Sequence, residues 1–151
     1  MEKISDLEKR IEQSEDQQKK STGGQTRMVK HYQLLPDGLN ARDIRTGLIW
    51  RRAIEPGMFT YKQAVDHAAR IAQQTGWPWR IPNKQELETL VEKTRMNPAI
   101  DTVVFPATPS TGFWSSSLHE RDHNYAWEIN FSVGYANCNI CGTTLAVRLV
   151  R

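Results

Sequence analysis

Two capped amphipathic helical stretches, followed by a stretch in which apolar and polar residues simply alternate, limit what this chain can fold into more than any other feature. Over Tyr61 to Thr75 the residues Tyr61, Ala64, Val65, Ala68, Ile71 and Ala72 share one helical face,. Thr60 and Gln63 stand at capping-box spacing before it, and Gly76 and Pro78 stop it,. A second helix is expected after Asn83, which caps with Glu86 three residues on,. It buries Leu87, Leu90 and Val91 and ends before Asn97-Pro98. The period then changes. Tyr125, Trp127, Ile129, Phe131 and Val133 alternate with Ala126, Glu128, Asn130 and Ser132, as in an antiparallel strand buried on one face, and Gly134 begins a turn,. Leu145, Val147 and Leu149 alternate in the same way with Thr144, Ala146 and Arg148. Upstream, Met28 to Leu35 reads as a strand, Pro36-Asp37-Gly38 as a turn, and Gly47 to Trp50 as a second short strand,. Helices that give way to alternating strands imply an α+β layout with a small antiparallel sheet.

With 151 residues there is room for one compact domain and an appendage,. The appendage is legible at residues 1–20, where Ile4, Leu7 and Ile11 keep a three-four spacing before it meets Ser14 and Gln18. Asp6 to Arg10, Glu15 to Lys19 and Asp16 to Lys20 each place an acid four residues before a base,. This predicts an N-terminal coiled-coil helix that joins copies of the chain into a homo-oligomer. Residues 21–28, beginning Ser-Thr-Gly-Gly, form a flexible linker, and residues 29–151 the domain,. Twenty Lys and Arg stand against 17 Asp and Glu, a net charge of +3 with no basic run, so neither nucleic acid nor a membrane surface is an expected partner,. No apolar leader opens the sequence and no stretch reaches the ~18 apolar residues of a membrane span,. Synthesis in the cytoplasm is expected, with virion association or export outside the Sec route as later destinations.

The segments Asp43-x-x-Thr46-Gly47-Leu48-Ile49-Trp50, Trp79-Arg80-Ile81-Pro82-Asn83-x-x-Glu86-Leu87, Phe113-Trp114-Ser115-Ser116-Ser117, Ala126-Trp127 and Val147-Arg148-x-Val150-Arg151 follow one another in order. Together they resemble the Lcl C-terminal domain family over about residues 29 to 151. The resemblance implies a C-type-lectin-like fold, related to the formylglycine-generating-enzyme fold and to variable proteins of diversity-generating retroelements. It also implies attachment to oligomerising stalks in adhesins or phage tail proteins, and partners that include sulfated glycans. Read as residues, Trp50, Trp79, Trp114 and Trp127 supply core surface, each with an indole N–H in need of a partner. Arg80 and Arg148 require pairing with carbonyls or with carboxylates such as Glu86 or Asp43.

Three motifs invite chemistry. His119-Glu120-Arg121-Asp122-His123 has H-E-x-x-H spacing, but a zinc protease needs those residues on a helix, and here serines precede them and a strand follows at once,. Cys138-Asn139-Ile140-Cys141 has C-x-x-C spacing, yet lies between two strands rather than at a helix start; free thiols are expected first and a local disulfide second,. Calcium-lectin triplets are lacking apart from a Glu55-Pro56-Gly57 that has no second triplet to partner it. The expectation is therefore a non-enzymatic binding module with no cofactor and no metal, which takes a glycan or protein ligand through loops at His119 to Asn124 and Tyr135 to Cys141. The candidate ligand-binding residues are His119, Arg121, Asp122, His123, Tyr135, Asn137 and Asn139. The competing readings are a structural phage or assembly component whose loops make subunit contacts, and a retroelement-diversified variable protein whose Asn-rich C-terminal stretch is the mutagenised target.

Overall fold

The computed structural model describes residues 26–151. The coiled-coil helix expected over residues 1–20, the oligomer it would build and most of the 21–28 linker lie outside the described residues. Those described form an α+β domain of two helices and two antiparallel sheets. None of its helices is long and apolar enough to cross a membrane.

The first sheet is a meander of β1 (Arg27–Val29), β2 (Tyr32–Leu34), β3 (Asn40–Asp43) and β4 (Ile49–Arg51). What reads as one strand from Met28 to Leu35 is two, because Lys30 adopts a φ of 54° and folds Val29 back opposite Tyr32. Neither Lys30 nor His31 is a usual turn residue, so the sequence gives no warning of the reversal. The next turn does fall at Pro36-Asp37-Gly38. Asp37 accepts hydrogen bonds from the N–H groups of Leu39 and Asn40, and Gly38 supplies the left-handed φ of 72°,.

Helix α1 (Tyr61–Thr75) carries the expected capping box at Thr60 and Gln63 and ends on Gly76 at a φ of 75°. Its buried face is narrower than the periodicity implies: Ala64 and Ala68 are buried and Tyr61, Ile71 and Ala72 pack partly, but Val65 points to solvent. Helix α2 (Lys84–Glu88) is capped by Asn83 and Glu86 as expected, but has only five residues. Leu90 is still buried, brought in by a turn whose N–H donates to the Leu87 carbonyl.

The second sheet has the order β5 (Gly112–Leu118), β6 (Tyr125–Asn130), β7 (Tyr135–Ile140). Cross-strand partners share a face. Phe113, Ile129 and Ala136 face a core that includes Leu87, whereas Trp114 and Ala126 face a second core against Ala64 and Ala68. The one-sided alternation expected for Tyr125 to Val133 therefore does not hold. With both faces covered at its middle, β6 buries Ala126 and Glu128 as well as Ile129, while Tyr125 and Val133, beyond the cover, are exposed.

The same correction applies to the segment 145–150, in which every residue is buried. Leu145, Val147 and Leu149 enter the core of α1, and Ala146 and Val150 enter the other, so this one extended stretch is the wall between them. Backbone bridges tie it to Trp50, Phe59, Arg80 and Phe113. Arg148 also lies inside. Its Nη1 donates to the carbonyls of Arg51 and Arg52, its Nη2 donates to Thr108 Oγ1 at 2.8 Å, and its guanidinium stacks on Phe105 at 4.7 Å. Burial pulls its pKa down to about 9, which leaves it a cation at neutral pH. Arg80 pairs through both terminal nitrogens with Glu86, at 2.7 and 2.8 Å, and Asp43 is bound by Arg45. Trp50, Trp79 and Trp114 are core residues as expected, whereas Trp127 is only half-buried.

Candidate functional site

The β5–β6 connection is a tight turn. The N–H of His119 donates to the Tyr125 carbonyl, His119 Nδ1 accepts from the Arg121 N–H, and Asp122 accepts from the Asn124 N–H. Glu120, Arg121, Asp122, His123 and Asn124 are exposed. The H-E-x-x-H residues thus lie in a turn and not on a helix face, and no group of three or more His, Cys, Asp or Glu among the described residues is placed to hold a metal ion. Glu55, of the Glu-Pro-Gly triplet, is buried against His67 Nε2 at 2.8 Å.

Tyr135 to Ile140, expected as a loop, is strand β7 in unbroken register with β6. The consequence for the candidate residues is a division. Tyr135, Asn137 and Asn139 stand opposite Asn130, Glu128 and Ala126 on one face, while Ala136, Cys138 and Ile140 stand opposite Ile129, Trp127 and Tyr125 on the other. His119 joins that second face, with its ring stacked on Trp127 at 5.9 Å. The turn and the far end of β7 meet, since the Cys141 N–H donates to the Asn124 carbonyl at 2.8 Å. Tyr135 lies at the opposite end of the strand, roughly 17 Å away at 3.3 Å per residue. The structure therefore brings His119, Arg121, Asp122 and His123 together with the Asn139 end of β7, and leaves Tyr135 apart from them.

Around Trp127 the structure adds residues that the sequence reading assigned elsewhere or passed over. Lys84, the first residue of α2, lays its ammonium over the Trp127 ring at 4.2 Å from the centroid,. Glu120 is exposed in the adjoining turn, its carboxyl held below the usual carboxylate range chiefly by its own backbone N–H. Ser115 and Ser117 fix the frame beneath, Ser115 donating to the Trp127 carbonyl at 2.6 Å and Ser117 accepting from the Lys84 N–H at 3.0 Å. Indole, ammonium, imidazole and carboxylate thus sit at one end of the sheet, beside the exposed turn. Only the pairing of α2 with β6, which no local pattern encodes, brings Lys84 there.

On the other face Glu128 is buried and accepts a hydrogen bond from Asn139. It lies so close over Gly112 that a Cβ there would stand 2.6 Å from its carboxylate oxygen, so a larger residue would have to displace that carboxylate from its place beside Asn139. Asn139 is thereby held in place by the fold, while Asn137 is exposed.

Cys138 and Cys141 are both free. Three residues apart at the end of an extended strand, they point to opposite faces, which separates the thiols and disfavours a bridge between them. Burial raises the pKa of both, opposite to the shift that a redox-active thiol needs,.

The Lcl C-terminal domain matches the chain over residues 40–151, from β3 through the buried closing segment. No curated protein matches it.

Proposed function

The chain belongs to the Lcl C-terminal domain family, and from that premise we propose that it is a non-enzymatic binding module of C-type-lectin-like fold, displayed in several copies by its N-terminal coiled-coil helix. Its ligand is a glycan or a protein, bound at the end of the second sheet where the turn His119 to Asn124 adjoins Trp127. The observation that carries this reading is the partly exposed Trp127 ring with Lys84 and His119 against it and the exposed Glu120 in the adjoining turn. A flat apolar ring with donors, an acceptor and a cation around it can stack on a sugar or anchor a protein side chain,. The exposed Arg121, Asp122 and His123 extend the surface, and the packed sheet beneath holds it in one geometry,. Several copies on one stalk would multiply weak contacts.

The test is binding of the full chain to a panel of neutral and sulfated oligosaccharides. Trp127→Phe and the pair Arg121→Ala with Asp122→Ala should each weaken capture at least about tenfold, with the thermal midpoint unchanged. Capture that survives both variants would show that the ligand binds elsewhere. A chain that captures nothing on the panel removes the glycan and leaves the protein ligand.

A further inference from the structure

Among the described residues, strand β7 has a neighbour on one side only. The bond from the Cys141 N–H to the Asn124 carbonyl sets its phase. Tyr135, Asn137 and Asn139 turn their backbone groups to β6, and Ala136, Cys138 and Ile140 turn theirs outward, where the Ile140 carbonyl accepts from the Thr143 N–H at 2.9 Å and keeps one lone pair for a further donor,. Proteins usually blunt such an edge with a charge, a proline, a bulge or a very short strand. β1, at the edge of the other sheet, has three residues and opens on Arg27, and the β5–β6 ladder is interrupted by a register shift. β7 has none of these devices: it runs six residues, Tyr-Ala-Asn-Cys-Asn-Ile, uncharged and regular.

The order of those residues indicates what covers it. From Ala136 to Ile140 the strand reads apolar, Asn, Cys, Asn, apolar from either end. A two-fold interface needs a surface complementary to itself, and a strand palindromic about its centre has that property when it pairs antiparallel with its own copy. We propose that β7 pairs with β7 of a second copy about a two-fold axis at Cys138, which joins the two three-stranded sheets into one. Cys138 then lies opposite the partner's Cys138, and Ala136 opposite the partner's Ile140. Asn137 lies opposite the partner's Asn139. The Asn139 Nδ2 is committed to Glu128 within its own chain, so its Oδ1 is the group that accepts from the partner's Asn137 amide. Ile140, now 52% exposed, is covered by the partner's Ala136. No charged side chain on either strand opposes the pairing. The two His119 to Asn124 turns would come to opposite ends of the joined sheet, roughly 20 Å apart from Cys141 to Cys141 at 3.3 Å per residue. The pairing stands whether or not those turns bind a ligand.

The geometry supplies its own probe. Directly opposed, hydrogen-bonded residues have Cα atoms about 5.5 Å apart, within the range a disulfide spans. In the full chain carrying Cys141→Ser, Cys138 is the only cysteine. Treatment with diamide in mildly alkaline buffer, chosen because burial raises the Cys138 pKa, should give a covalent dimer. Each thiol gives up one proton and one electron as the S–S bond forms, and the diamide is reduced to its hydrazine. The full chain carrying Cys138→Ser, which retains only Cys141, should cross-link at least about tenfold more slowly, because its thiol has no opposed partner. Cys138→Lys places two ammonium groups opposite each other. It should abolish slow hydrogen exchange at the Ala136 and Ile140 amides while the Ala126 and Glu128 amides inside the sheet keep theirs, and remove the dependence of the thermal midpoint on protein concentration that β7 pairing adds. Equal cross-linking through Cys141, or Ala136 and Ile140 amides that exchange freely in the unmodified chain, would overturn the pairing.

Discussion

β7 and the segment 145–150 are six residues each and lie within a few residues of one another, yet they are opposite kinds of strand. The closing segment is buried on both faces, bridged to Trp50, Phe59, Arg80 and Phe113, and holds its one charge inside by giving it carbonyls and a hydroxyl to bond. β7 is paired along one edge, with Tyr135, Asn137 and Ile140 in solvent and no charge at all. What decides each role is what the rest of the chain brings to it. Side chains do not, since the closing segment contains an arginine and β7 does not.

Denaturant unfolding of the full chain reads four effects that bear on that contrast. The largest effect belongs to Arg148. Arg148→Ala leaves the carbonyls of Arg51 and Arg52 and the Thr108 hydroxyl without their donor and opens a cavity, and should destabilise by about 3 kcal/mol or more,. Arg148→Lys should recover little of it, because an ammonium cannot reproduce the fork. Gly134, in the turn that leads into β7, comes next. It sits at a φ of 87°, and a Cβ there would stand 2.6 Å from Val91 Cγ1, so Gly134→Ala should lose about 1 to 3 kcal/mol,.

Glu86→Gln should lose about 1 kcal/mol, as it keeps the cap's geometry but removes the charge that binds Arg80,. The pH dependence has a definite sign. The hydrogen bond from Arg80 holds the Glu86 carboxyl below its ordinary 4.5, so its folded pKa is lower than its unfolded one. The stability it lends is complete above 4.5 and is lost as pH falls through the lowered value, and the Gln variant should lack that component of acid sensitivity. The smallest effect is Tyr135→Thr, a β-compatible change at a position 70% exposed and outside the proposed 136–140 pairing, which should stay within about 0.5 kcal/mol,. A loss comparable with that at Gly134 would mean that β7 is as constrained as its buried neighbour.

Much of the local structure was legible in the sequence because it is chemically local. Thr60 with Gln63, Asn83 with Glu86, Gly76 and Asp37-Gly38 each fix a helix end or a turn through atoms a few residues apart. The errors arise where distant chain decides. The reversal at Lys30 has no turn residue to announce it, and β3 and β7 are too polar to read as strands until their partners are known. Alternation failed at Tyr125 to Val133 and at 144–149 for one reason: a strand covered on both faces has no outer side to mark with polar residues. The candidate turn at His119 was found from its composition, but Trp127 was assigned to the core. Lys84, 43 positions earlier in the chain, could be placed beside it only by the packing of α2 on β6.

The buried wall at 145–150 also has a meaning in time. Ribosomes release a chain from its amino end, so residues 26–144 emerge before the stretch that separates and seals both cores. Until it arrives, Trp50, Phe59, Arg80 and Phe113 lack their bridges to it, and two apolar interiors stand open along a shared seam. The two cores of this domain can therefore close only once residues 145–150 have emerged,.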